Sequence, residues 1–169
     1  MRTPKIAAAA LILGLAISPA AQAQDSWTGL YAGGAVGNLD VKPEIGQSES
    51  EAIASIIAGY NMDLGNMFVI GLEGDLNSDT LSKNDFSYSL RPRAGYKLLN
   101  EAGMAYGTFG YAGTQVRGEN PEGWIIGIGY EHQLTGMWHL RAEYLYSEQD
   151  LQGLDSEVEF LRAGLTTKF

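Results

Sequence analysis

Charged residues recur at every second position along several stretches of this 169-residue chain, and the spacing limits the chemistry open to them. Glu73 and Asp75 are two apart, as are Arg91 and Arg93, with Lys97 four residues further on. Arg141 and Glu143 repeat the interval, and Glu131, Arg162 and Lys168 stand in similarly alternating surroundings. An interval of two puts each set on one face of a β-strand. Carboxylates on one strand beside guanidinium groups on the next then make ion pairs. Glu73 and Asp75 are expected beside Arg91 and Arg93, and Glu143 beside Arg162. A nucleophilic hydrolase needs a histidine with a serine and a carboxylate in reach. The chain has two histidines, His132 and His139, and neither has a serine within two residues. No loop has the D-x-D-x-D-G spacing of a calcium site. No catalytic set, cofactor or metal is therefore expected.

The elements that would position these charges are strands. The 86–97 stretch is the clearest: Phe86, Tyr88, Leu90, Pro92, Ala94 and Tyr96 share one face, and Ser87, Ser89, Arg91, Arg93, Gly95 and Lys97 the other. A short pattern counts the strands. Ala58-Gly59-Tyr60, Ala94-Gly95-Tyr96, Ile128-Gly129-Tyr130 and Ala163-Gly164-Leu165 recur at intervals of 36, 34 and 35 residues. About 35 residues is one hairpin with two strands of about 10 residues, a short turn and a longer loop. Four hairpins predict eight strands, approximately 27–38, 52–61, 67–77, 85–98, 104–116, 123–134, 137–148 and 158–169. The predicted fold is all-β, an eight-stranded antiparallel up-and-down transmembrane β-barrel. The first, second and fifth strands do not declare a facing, because Gly and Ala populate both sides.

Placed inside such a barrel, the polar face carries Glu73, Asp75, Glu131 and Glu143 with Arg91, Arg93, Lys97, Arg141, Arg162 and Lys168. Eight strands leave an interior only wide enough for side chains, and charges there must be paired. The set is expected to form an ion-pair network that plugs the barrel; the alternative is a narrow ion or small-solute channel lined by the same residues.

Residues 1–23 read as a cleaved secretory signal. Arg2 and Lys5 start it, Ile6 to Ile17 is uninterruptedly apolar, and Ala21-Gln22-Ala23 is a small-x-small cleavage site. The apolar run is too short to span a bilayer as a helix. Residues 24–169 are then one barrel domain. Without Arg2 and Lys5, nine Lys+Arg remain against 20 Asp+Glu, a balance that argues against nucleic acid as a partner. The chain has no cysteine, so no disulfide supports it.

The aromatics are expected in two girdles: Tyr60, Phe68, Tyr96, Tyr106, Tyr130, Trp138 and Phe169 near the short turns, and Phe86, Tyr88, Tyr111, Trp124, Tyr144 and Tyr146 near the longer loops. Those loops are expected to hold Asp40, Glu44, Glu49, Glu51, Asp79, Glu119, Glu122, Glu148, Asp150, Asp155 and Glu157. Leu161, Ala163, Leu165, Thr167 and Phe169 alternate along the last stretch. This ending resembles the C-terminal strand of bacterial outer-membrane barrels, which the barrel-assembly machinery reads as an insertion signal.

The whole 24–169 region resembles the small eight-stranded outer-membrane barrels, OmpA- and OmpX-like, and especially the opacity-protein and porin-like surface antigens of proteobacteria. The stretches that carry the resemblance are Trp27 to Gly34 (WTGLYAGG), Gly71 to Asp75 (GLEGD), Leu90 to Tyr96 (LRPRAGY), Arg141 to Tyr146 (RAEYLY) and the terminal Phe169. The resemblance implies location in the cell outer membrane, contact with its lipid and lipopolysaccharide, and a non-enzymatic role in envelope structure, as a surface antigen or in adhesion.

Overall fold

The computed structural model describes residues 27–43, 49–79, 86–115, 121–151 and 154–169. The expected signal segment 1–23, Glu44 and Glu119 lie outside the described residues. Eight strands follow in chain order: β1 (Gly29–Pro43), β2 (Glu49–Asp63), β3 (Phe68–Asp79), β4 (Phe86–Leu98), β5 (Gly103–Gln115), β6 (Glu122–Gln133), β7 (Trp138–Leu151) and β8 (Leu154–Lys168). Each pairs antiparallel with its neighbours in sequence, and β1 pairs with β8 to close the barrel. Closure leaves no sheet edge, and the ladder satisfies most backbone polar groups around the barrel; the β4–β5 register is interrupted at Arg91 and Pro92, where proline has no N–H to give and the Pro92 carbonyl accepts from Thr108 Oγ1 at 2.9 Å.

The strands run further than the sequence pattern predicts. Asp40 lies within β1, Glu49 and Glu51 within β2, Asp79 at the end of β3, Glu122 at the start of β6, Glu148 and Asp150 within β7, and Asp155 and Glu157 within β8, rather than in loops. A polar residue ends a strand on propensity alone, but here its neighbour on the ladder carries the pairing onward; Asp40 pairs with Ser50 on one side and Glu159 on the other.

The facing that Gly and Ala obscured in β1, β2 and β5 is resolved by packing. Tyr31 and Ala35, Ile53, Ser55 and Ile57, and Met104, Tyr106 and Ala112 point inward and are buried. Inward glycines opposite tyrosines make the room. Tyr31 pairs across the ladder with Gly59, and Tyr106 with Gly129. A Cβ on Gly59 would collide with the Tyr31 hydroxyl, and one on Gly129 with Tyr106 Cζ. Each ring thus lies over its glycine, the aromatic cover that pins register in barrels. Tyr106 is consequently an interior residue, 5% exposed, and not a member of the short-turn girdle.

The outer wall is apolar. Leu72, Leu90, Phe109, Ile128, Leu140 and Leu161 all stand exposed on it. The tyrosines of the 35-residue pattern, Tyr60, Tyr96 and Tyr130, also face out, toward the short-turn end. An outside richer in apolar side chains than the inside is the inverse of a soluble barrel.

The short turns are tight. Asn66 and Met67 in the β2–β3 turn, and Leu99, Asn100 and Glu101 in the β4–β5 turn, have positive φ. Asparagine tolerates this region, whereas methionine, leucine and glutamate are poor in it. Bonds across the turns hold them there: Lys97 N donates to Met67 O at 2.8 Å, and Ala102 N to Leu99 O at 3.2 Å.

Candidate functional site

The centre of the barrel is a single cluster of buried charge. Glu73 and Asp75 come from β3, Arg91 and Arg93 from β4, Glu131 from β6, Arg141 and Glu143 from β7, and Arg162 from β8. All eight are 5% exposed or less. Period-two alternation brings them inward, and the ladder sets their heights: Glu73 pairs directly with Arg91, Glu131 with Arg141, and Glu143 with Arg162.

Glu73 is the hub. Its carboxylate accepts from Arg91 Nη2 at 2.7 Å, Arg93 Nη1 at 3.0 Å, Arg141 Nη1 at 2.7 Å and the Tyr31 hydroxyl at 2.6 Å. Arg162 Nη2 joins Asp75 at 2.6 Å, and Arg162 Nε donates to Glu143 at 2.8 Å. Arg91 also reaches Asp75 at 2.8 Å. Arg93 donates to both Glu131 oxygens, at 3.1 and 2.9 Å, and its guanidinium stacks 4.0 Å from the centre of the Tyr106 ring. Tyr106 in turn donates to Glu143 and accepts from Arg141. The group is four carboxylates with four guanidinium groups, and formally neutral. Short charge-assisted bonds are the strong class of hydrogen bond, and in the low-dielectric interior each bond polarises the next.

Of the ten charged positions singled out in the sequence, these eight are brought together. Lys97 is at the short-turn end, where Nζ bridges Asp63 at 2.9 Å and Glu101 at 2.8 Å. Lys168 is half-buried near the end of β8, its stem over Gly29. Tyr31, Tyr106, Asp63 and Glu101 belong to the arrangement, although the spacing of charges does not point to them. For the two tyrosines, the glycines across the ladder were the available signal.

Apolar layers flank the charges on both sides. Toward the short turns lie Trp27, Val69, Met104 and Tyr106. Toward the loops lie Ile53, Ala112, Ile125, Leu145, Val158 and Phe160, with Leu39 against them. The two histidines part company: His139 points inward beneath Trp27, while His132 faces out, its Nδ1 3.2 Å from the Tyr130 hydroxyl. Leu161, Ala163 and Leu165 project outward from β8, Thr167 is half-buried, and Phe169 is 45% exposed.

A family model described as the outer membrane protein beta-barrel domain matches residues 7–169. The chain belongs to that family. As an outer-membrane β-barrel it lies in the outer membrane, with its apolar wall against lipid. A curated relative, the 31 kDa outer-membrane immunogenic protein of Brucella melitensis, is 26% identical, over 85% of this chain and 84% of its own. Among solved structures, Neisserial surface protein A superposes with a TM-score of 0.62 at 18% identity, covering 84% of this chain and 98% of its own. The N-terminal β-barrel domain of Pseudomonas aeruginosa OprF gives 0.56 at 13% identity, covering 84% and 98%. The attachment invasion locus protein Ail of Yersinia pestis gives 0.53 at 15% identity, covering 82% and 99%. At these identities the superpositions speak for the fold alone.

Proposed function

We propose that this outer-membrane barrel is a closed, non-enzymatic envelope protein, acting as a structural element and as a surface antigen or adhesin through its loop end. The observation that carries the reading is the neutral, mutually bonded cluster of four carboxylates and four arginines between two apolar layers. An eight-stranded barrel has space inside for side chains and little else, and here those side chains bind one another. The opposite facings of His132 and His139 support the non-enzymatic reading, since they give no shared site. The immunogenic relative supports surface exposure.

The same reading assigns residues 1–23 to a cleaved export signal and 24–169 to the inserted domain. It assigns Leu161, Ala163, Leu165, Thr167 and Phe169 to recognition by the barrel-assembly machinery, and lipopolysaccharide to the outer collar as a neighbour. In barrels of this kind the short turns face the periplasm.

Planar-bilayer recordings of the refolded protein beside Arg93→Ala test it. The expected result is a silent bilayer for the native protein, with insertion confirmed by its folded mobility. Discrete, reproducible steps that change in Arg93→Ala would instead make the cluster the lining of a narrow channel.

A further inference from the structure

We propose that Trp27 and Thr28 form a strap across the short-turn mouth of the barrel, with the Trp27 indole as its seal. Neither residue belongs to β1, whose ladder begins at Gly29. Trp27 is nonetheless only 4% exposed. Its indole Nε1 donates to the Glu101 carbonyl in the β4–β5 turn at 3.0 Å. Its ring lies 5.0 Å from that of His139 on β7, tilted by 51°, and packs into the layer with Val69 and Met104. Thr28 is tied separately: its Oγ1 accepts from Asp63 N at 2.8 Å.

The two tethers meet. Asp63 and Glu101 are the two carboxylates that Lys97 Nζ bridges. The contacts therefore run in a ring, from Trp27 to Glu101 to Lys97 to Asp63 to Thr28, across the mouth between the β2–β3 and β4–β5 turns. The indole itself makes no ladder bond, so removing it leaves every ladder bond of the barrel intact. Met104, fully buried, is the interior residue its departure would uncover.

This inference deepens the closed-interior reading, and its test is separate, because conductance reports on the charged centre and labelling reports on the mouth. The chain has no cysteine, so a single introduced one is an unambiguous probe. Met104→Cys and, at the loop-end layer, Ile125→Cys would each be placed in the full protein with Trp27, with Trp27→Ala and with Trp27→Phe. A charged, water-soluble thiol reagent is then applied to the folded protein in lipid vesicles and in detergent, with folding checked by circular dichroism. Loss of one hydrogen bond and one ring contact predicts that the Met104→Cys thiol is labelled about tenfold faster when Trp27→Ala is added. The Ile125→Cys thiol should be unchanged, and Trp27→Phe should keep most of the protection. Equal labelling of Met104→Cys with or without the indole would overturn the proposal. So would an equal rise at both introduced thiols, which would mean general loosening rather than loss of a seal at the mouth.

Discussion

Glu73→Gln is the substitution that asks most of the buried cluster. The amide keeps the shape of the carboxylate and removes its charge. In the native barrel that carboxylate accepts from three arginines and Tyr31 within 2.6–3.0 Å, and it is 2% exposed. Its loss leaves four guanidinium groups facing three carboxylates, enclosed between apolar layers that cannot solvate the excess charge. Breaking a buried pair by removing one partner costs about 3–5 kcal/mol, and Glu73 makes several such pairs, so the upper half of that range is expected. The assay is urea-driven unfolding of the protein in lipid vesicles, followed by tryptophan fluorescence and far-ultraviolet circular dichroism. The companion variant is Glu73→Gln with Arg91→Gln, which restores neutrality. The double variant should be less destabilised than the two single variants summed, by about 1–3 kcal/mol, as contacting residues in one network are. A single-variant cost below about 1 kcal/mol, the range of solvated surface pairs, would refute the idea that these charges are desolvated and interdependent.

Other positions separate the parts of the fold. Ile128, 67% exposed on the outer wall, should cost about 2–4 kcal/mol when changed to Arg in a bilayer; in a barrel surrounded by water the same change would fall within about 0.5 kcal/mol. Gly129→Val should cost about 1–3 kcal/mol by driving Tyr106 off its seat and should weaken its bonds to Arg141 and Glu143, which vesicle unfolding measures. Lys97→Met should cost about 1–3 kcal/mol, because it leaves Asp63, whose side chain is 12% exposed, without its cation. Only the share from Glu101, whose side chain is half-exposed, should shrink as salt is raised, which unfolding at low and high ionic strength would show.

The fold was legible where the two faces of a strand differ in kind. In β4, aromatic and aliphatic residues alternate with serine, arginine and lysine, and the observed burial alternates with them residue by residue. Four hairpins were legible because Gly-Tyr pairs fall two or three residues before the ends of β2, β4 and β6, with Gly-Leu likewise in β8. In β1, β2 and β5 the same reasoning stalled, since Gly and Ala populate both faces, and Ile53, Ile57 and Met104 are apolar and yet point inward. A barrel interior with apolar layers above and below its charges breaks the rule that inside means polar. Alternation nominated ten charges, of which eight meet at the centre while Lys97 and Lys168 lie apart, and it gave no sign of their hydroxyl partners. Tyr106 looks like a membrane-interface tyrosine, and Tyr31 lies on a strand of undeclared facing, until the glycine across the ladder shows which way each ring turns. Asp63 and Glu101 sat in stretches that carry turn signals, and only the folded chain brings both to one lysine.

The cluster divides evenly along the chain. The hairpin of β3 and β4 contributes Glu73, Asp75, Arg91 and Arg93, and the strands from β6 to β8 contribute Glu131, Arg141, Glu143 and Arg162. Each half is neutral by itself, with two acids and two bases. Neither half therefore carries net charge from this cluster on its own, before pairing of β1 with β8 closes the barrel. If the halves form before they meet, a substitution that unbalances one half should slow insertion even where a compensating change in the other half restores the final charge, which the rate of folding into lipid vesicles would measure.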